Sequence, residues 1–333
     1  MKLVGFEIED WEHKRFDRIK DENELLLTSE PLKIKVKGDF LDADVISTFV
    51  YSDVSAEALK QFKNLRLLAT RSTGFDHIDI DYCRENNITV CNVPAYADET
   101  VAEHVFALLL SISRNIVESV VRTRTGNFSQ DGLQGSDLQG KTIGIIGTGS
   151  IGRHVIKIAK GFSMNVLAFD LKPDEEAASS LGFRYVDMDE LLSSADVVTL
   201  HVPGTPKTRH LISKPEFSKM KDSSILINTA RGDIVDIQAL LEALTSRKIT
   251  AVGLDVLSEE PKIREEAELI RSIFTEQHDL QTLFADHMLV HQPNVLVTPH
   301  NAFNTREAVE RLLDTSVQNI MSFVKGEPQN VVS

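Results

Sequence analysis

Residues 142–162 read "TIGIIGTGSIGRHVIKIAKGF". An apolar, strand-like run leads into Gly147, Gly149 and Gly152, spaced as GxGxxG, and a helical pattern follows at once. The first glycine permits a tight turn and the second lets the backbone approach a pyrophosphate. The third allows close helix packing, and the helix N-terminus supplies free N–H groups and a positive dipole end. The motif alone is weak evidence; between a strand and a helix it predicts a dinucleotide site. The next apolar run, "NVLAFD", ends in Asp170, 23 residues after Gly147. A carboxylate there accepts both ribose hydroxyls of adenosine and repels a 2′-phosphate, so NAD is favoured over NADP, although Lys172 nearby softens the discrimination.

Outward from this stretch the same pattern repeats. "DVVTLHV", "SILINT", "TAVGLDV" and "NVLVTP" continue the series, while "KLVGFEI", "ELLLTS", "DVISTFVY", "LRLLAT" and "ITVCNV" occupy the first 93 residues. Apolar strands alternating with amphipathic stretches predict an α/β fold of two doubly wound parallel-sheet domains, with a small-molecule site in the cleft between them. One long helix is expected from Asp98, with Val101, Val105, Leu108, Ile112, Ile116 and Val120 at helical spacing, linking the domains. A second helical pattern, Thr305 to Gly326, offers Ala308, Leu312, Val317, Ile320 and Phe323 as its buried side and returns to the first domain.

The composition narrows the function. The chain has 333 residues, 42% hydrophobic and 26% charged, enough for two globular domains. A formal charge of −14 argues against nucleic acid or an anionic membrane surface as main partner, so any anionic ligand must be held by local positive groups. Cys83 and Cys91 form no CxxC pair and have no histidines at ligand spacing, which supports neither a disulfide framework nor a metal site and fits a reducing cytoplasm. "MKLVGFEIED" turns acidic too early for a signal peptide, and "VFALLL" is far too short to span a membrane. The segment from Pro261 to Gln292 is insertion-like, charged and helical in pattern. Its His278, His287 and His291 lack a carboxylate or cysteine to complete a ligand set.

Three polar groups follow three consecutive buried-strand patterns: Arg231 after "INT", Glu260 after "GLDVLSE" and His300 after "NVLVTP". Ligand sites of open α/β sheets lie at these strand ends. The set suits hydride transfer to a 2-keto acid. A guanidinium pairs with the substrate carboxylate through its planar fork, and a protonated imidazole donates to the carbonyl oxygen as charge develops there. A nearby carboxylate favours the imidazolium. The competing account is an Arg–Glu ion pair beside an uninvolved histidine.

With these motifs assembled, the chain resembles the D-isomer-specific 2-hydroxyacid dehydrogenases, and within them most the D-lactate dehydrogenases. The resemblance runs through "STGFDHIDID", "NVPAYADETVAEHVFALLL", "GIIGTGSIGR", "LHVPGTPKTRHLI", "INTARGDIVD", "GLDV" and "NVLVTPHNAF". It implies a flavodoxin-like substrate domain made of residues 1–98 and 300–333, and a Rossmann NAD-binding domain at 99–299. It also implies a homodimer joined through the NAD domain. Arg231, Glu260 and His300 take the catalytic roles, Ser150 and Ile151 meet the pyrophosphate, and Val202, Pro203 and Thr208 border the cofactor. Thr229, Ala230 and Arg231 pass its ribose-nicotinamide end, and Asp255 hydrogen-bonds the carboxamide. Thr73 and Gly74 offer backbone N–H groups to the substrate carboxylate, and Phe49, Tyr51 and Tyr96 are candidate walls of the side-chain pocket. Aromatic bulk there favours a small substrate such as pyruvate; the alternative makes Phe49 a core residue. His104 is read as structural and His201 as a cofactor-border residue.

The resemblance therefore implies an NAD-dependent D-lactate dehydrogenase, with glyoxylate or hydroxypyruvate reduction as the nearest alternative and an NAD-sensing corepressor as a different class. The length of the segment after Glu260 supports the D-lactate branch, the lack of a regulatory domain after Ser333 disfavours the serine-pathway enzymes, and the acidic Glu260 disfavours the formate-oxidising relatives.

Overall fold

The computed structural model describes residues 1–36, 38–75, 77–258 and 287–332. The chain divides into two units, one of Met1–Tyr96 with Asn304–Ser333, the other of Ala97–Phe303. The expected boundaries at 98 and 300 thus fall at 96 and 304, because the residues around His300 are tied by hydrogen bonds to the second unit's sheet.

In the first unit the five predicted apolar runs become β1 (Lys2–Gly5), β2 (Glu24–Leu27), β3 (Val45–Thr48), β4 (Leu67–Thr70) and β5 (Thr89–Cys91), all parallel in the order β2-β1-β3-β4-β5. This is the flavodoxin-like order. β3 and β4 are buried throughout, as expected of strands covered on both faces. The helix Arg306–Val324 buries Leu313, Val317 and Ile320 against Leu3, Val45, Leu67 and Ala69, so the C-terminus completes the first unit's core. Its N-cap, Thr305, accepts the Ala308 N–H, which is why the helix starts there.

The second unit holds a seven-stranded parallel sheet: β6 (Thr142–Ile146), β7 (Asn165–Phe169), β8 (Arg184–Tyr185), β9 (Val197–Leu200), β10 (Ser224–Asn228), β11 (Ile249–Leu254) and β12 (Val295–Val297). Its order is β12-β11-β10-β9-β6-β7-β8. The strand order reverses between β6 and β9, the switch point of a Rossmann fold. β8 was not legible in the sequence, because two residues at a sheet edge carry no periodicity.

The long helix expected from Asp98 is two helices, Asp98–Ser113 and Ile116–Arg124, bent by 60°. Apolar spacing continues through the break, but Asn115 takes φ +50, a left-handed conformation that asparagine tolerates better than most residues. Ser113 N-terminal to the break presents its carbonyl oxygen to Gly135, where an added Cβ would lie 2.2 Å away. Val101, Val105 and Leu108 are buried, whereas Ile116 and Val120 are exposed. Among the described residues no single helix is long and apolar enough to cross a membrane.

Candidate active site

At the end of β6 the three glycines do different work. Gly147 has φ +98, and a Cβ there would meet the His201 carbonyl oxygen at 2.6 Å; a Cβ on Gly152 would lie 2.1 Å from the Gly147 carbonyl oxygen. Gly149 has open space instead and caps the Ser150–Gly161 helix with no side-chain acceptor, which leaves the leading N–H groups for an anion. Ser150 Oγ donates to the Asp98 carboxylate, a partner the sequence reading did not foresee. Ile151 is half-buried against the core. Val202 lies beside the Gly147 turn, and Thr208 Oγ1 donates to the Pro203 carbonyl at 2.6 Å, closing the loop after β9. His201 bonds Thr199 Oγ1 through Nε2 at 2.9 Å, and burial pushes its pKa down to about 3, so its imidazole is neutral.

Asp170 follows β7. Its carboxylate accepts the Thr148 N–H at 2.7 Å, the Thr148 hydroxyl at 2.9 Å and the Lys172 N–H at 2.9 Å. Burial raises its pKa, but these bonds outweigh burial and hold it below the usual carboxylate range. The charge opposing a 2′-phosphate is retained.

On the other side of the switch point, β10, β11 and β12 deliver their C-terminal ends side by side. Asn228, fully buried at the end of β10, accepts the Ala230 N–H at 3.0 Å and donates to the Arg231 carbonyl at 2.9 Å, so its amide shapes the Thr229–Arg231 turn. The sequence reading missed Asn228; an amide closing a buried strand just before an arginine was the available signal. Thr229 Oγ1 is buried without a hydrogen-bond partner among the described residues. The Arg231 stem crosses Gly204, where a Cβ would lie 2.7 Å from Cγ, and Nη1 donates to the Ala230 carbonyl at 2.9 Å. A Cβ on Gly232 would fall 2.2 Å from the Leu257 carbonyl carbon, so the loops after β10 and β11 abut directly.

His300 has φ +50 and donates its backbone N–H to the Asp255 carbonyl at 2.9 Å. Asp255 is 0% exposed. Its Oδ1 accepts the Thr298 hydroxyl at 2.5 Å and the Asn301 N–H at 2.8 Å, and its Oδ2 accepts the Ala302 N–H at 2.8 Å. His104 Nε2 stands 3.0 Å from Thr298 Oγ1 and 3.4 Å from Asp255 Oδ1. With the Thr298 hydrogen committed to Asp255, His104 Nε2 is the donor in that pair. Burial raises the Asp255 pKa, yet the bonds from His104, Thr298, Asn301 and Ala302 outweigh burial and bring it below the usual range. The carboxylate that sequence resemblance gives to a carboxamide thus spends these bonds on the loop bearing His300. Reading His104 as structural left out that it belongs to this cluster.

In the first unit, the loop after β4 is held by Thr73 Oγ1 donating to the Val93 carbonyl at 2.7 Å, Asn92 donating to the Thr73 carbonyl at 2.8 Å and Ser72 Oγ donating to the Gly74 carbonyl at 2.6 Å. The Thr73 and Gly74 N–H groups meet no acceptor among the described residues. Phe49 and Tyr51 follow β3, with ring centroids 5.9 Å apart and nearly perpendicular. Tyr96 is buried, and its carbonyl accepts the Arg311 Nε–H at 2.8 Å. Glu260 and His278 lie outside the described residues, as does most of the 262–292 segment. His287 and His291 place their rings 4.5 Å apart, and the described residues contain no group of three or more side chains suited to a metal ion.

The glycine turn, the uncapped helix end, the charged Asp170 and the unpartnered Thr229 hydroxyl fit a bound dinucleotide. With Arg231 and His300 at the same sheet edge they define a dinucleotide-dependent dehydrogenase. Residues 106–302 match the model of the D-isomer specific 2-hydroxyacid dehydrogenase NAD binding domain. The chain is 36% identical over 333 residues to D-lactate dehydrogenase of Escherichia coli, covering 98% of each protein. It is 35% identical to glyoxylate reductase of Thermococcus litoralis, covering 88% of this chain and 84% of that protein. A crystal structure of Aquifex aeolicus D-lactate dehydrogenase complexed with NAD and lactic acid matches with a TM-score of 0.87 at 35% identity, over 98% of this chain and 96% of that one. The chain belongs to the D-isomer-specific 2-hydroxyacid dehydrogenase family, and its second unit carries that family's NAD-binding domain.

Proposed function

We propose that the protein is an NAD-dependent D-lactate dehydrogenase of the cytoplasm, interconverting pyruvate and D-lactate. The observation that carries this reading is the arrival of the Arg231 turn and the His300 loop at the C-terminal ends of β10 and β12, the two strands that flank β11 in one parallel sheet, each locked by a buried side chain, Asn228 and Asp255. NAD, when bound, supplies the two-electron acceptor or donor. In this reading Arg231 pairs with the substrate carboxylate, and the Thr73 and Gly74 N–H groups add donors to it. His300 gives a proton to the carbonyl oxygen during reduction and takes it from the hydroxyl during oxidation. Glu260 supports the charged imidazole in the same scheme. The Phe49 and Tyr51 rings bound the space beside the keto carbon and favour a methyl group.

A steady-state survey with pyruvate, phenylpyruvate, 2-ketoisocaproate, glyoxylate and hydroxypyruvate, run with NADH and NADPH, tests the reading. Pyruvate with NADH is expected to give the highest kcat/KM. A lead for glyoxylate or hydroxypyruvate assigns the protein to the reductases, and a lead for the bulky acids removes Phe49 and Tyr51 from the pocket.

The reading includes a homodimer formed through the second unit. Val117 and Val121, each 51% exposed, and Phe128, 78% exposed, with Ile116 and Val120, are apolar side chains exposed on the Ile116–Arg124 helix and the loop after it. Such a surface suits a second copy of the chain. Replacing Val117 and Val121 together by Asp is expected to convert a dimer into a folded monomer, read by sedimentation velocity. An unchanged mass places the interface elsewhere.

A further inference from the structure

The first unit contains a polar cluster that the proposed chemistry leaves unused. Arg71, 2% exposed just after β4, donates through Nη1 to Ser47 Oγ at 3.1 Å and through Nη2 to the carbonyl oxygens of Phe6 at 2.9 Å and Glu7 at 2.7 Å. Its guanidinium carbon lies 5.9 Å from the centroid of the Phe49 ring. Burial pulls the Arg71 pKa down to about 10, which still leaves it charged at neutral pH.

Glu7 is the second member. It adopts φ +57, a conformation that costs a residue with a long side chain about 1 kcal/mol or more and persists only where surrounding contacts over-determine it. The contacts are on the page. Glu7 Oε2 accepts the Phe49 N–H at 2.9 Å and the Ser52 hydroxyl at 2.5 Å, and Oε1 accepts the Tyr51 N–H at 2.9 Å. Ser52 Oγ in turn accepts the Leu32 N–H at 3.0 Å. Both Glu7 carboxylate oxygens therefore hold the backbone that carries the two aromatic rings, and Arg71 holds the Glu7 carbonyl. Bonds to an ionised acceptor are roughly twice as strong as neutral ones. Val50 and Tyr51 are themselves exposed, while Ser52 is buried.

We propose that Glu7 is a positioning residue for substrate selection: by clamping residues 49–52 it holds the Phe49 and Tyr51 rings where they exclude 2-keto acids larger than pyruvate. The proposal rests on the reading of those rings as the pocket wall. With the carboxylate gone, the segment yields to a longer side chain and selectivity falls, while the NAD-binding unit is untouched.

The test compares kcat/KM for pyruvate and 2-ketoisocaproate in Glu7→Gln, Glu7→Gly, Phe49→Ala and the Glu7→Gln/Phe49→Ala double variant. Glutamine keeps the shape but sets an NH2 against a donor; glycine suits the positive φ, so any loss there comes from the missing carboxylate and not from backbone strain. Each single variant is expected to lower the pyruvate preference roughly tenfold, mainly through KM, the scale of removing a steric constraint in an apolar pocket. NADH affinity stays unchanged. In the Phe49→Ala background Glu7→Gln is expected to add less than it does alone, because only the Tyr51 ring remains for the clamp to hold. If Phe49→Ala shifts the preference while both Glu7 variants retain it, the clamp is rejected and the pocket reading stands. If Phe49→Ala retains it, the pocket reading falls and the clamp with it. Fully additive losses in the double variant also reject the clamp.

Discussion

His300→Ala is expected to lower kcat by two to four orders of magnitude, roughly the contribution of a positioned general acid or base, while leaving the NADH dissociation constant within a factor of about two. The second half of that expectation follows from how the loop is held. Its hydrogen bonds to Asp255 come from the backbone N–H groups of residues 300, 301 and 302 and from the Thr298 hydroxyl, and the imidazole takes no part in them. Truncating the ring therefore removes none of these bonds. Alanine and histidine both meet some resistance at φ +50, so backbone strain changes little. Single-turnover kinetics with NADH fluorescence separate the two quantities; a variant that turns over at the parent rate takes His300 out of the mechanism.

Asp255→Asn carries the second largest effect, on stability and turnover together. The carboxylate serves donors on both oxygens, so an amide nitrogen must face a buried N–H or O–H in either orientation. Each buried donor left unpaired costs about 1–3 kcal/mol. Thermal unfolding is expected to begin several degrees lower, at roughly 2–4 °C per kcal/mol for a unit of this size. A displacement of about 1 Å at His300 lowers turnover about a hundredfold. The pH dependence has a definite sign. The folded-state pKa of Asp255 lies below the ordinary carboxyl value, so its contribution is present above about pH 3.9 and is lost as pH falls through the folded value. Acid unfolding of the parent is therefore expected to be steeper than that of Asp255→Asn. Equal stability and turnover in the variant show that the loop is held by other means.

Much of this molecule was legible before any coordinates because its signals are local. The strand, turn and helix around Gly147, Gly149 and Gly152 are contiguous; Gly147 is required by its positive φ and Gly152 by the Gly147 carbonyl, while Gly149 keeps the helix end open. The helix break at Asn115 was not legible, since apolar spacing runs through it and the decisive interactions come from residues 133–135. The shape of the site was legible only in part. Arg231 and His300 announced themselves as polar residues at strand ends, whereas Asp255 and His104 disclosed their hold on the His300 loop only through partners.

The linear chain by itself determined the α/β class and the dinucleotide turn, because short buried apolar runs and a glycine turn need only near neighbours. Tertiary structure alone decided that Asp255 holds a loop 43 to 47 residues away and that Glu7 holds one 42 to 45 residues away. Hydrogen bonds across such separations depend on which strands lie side by side. No local pattern encodes that choice; burial of the two parallel sheets makes it.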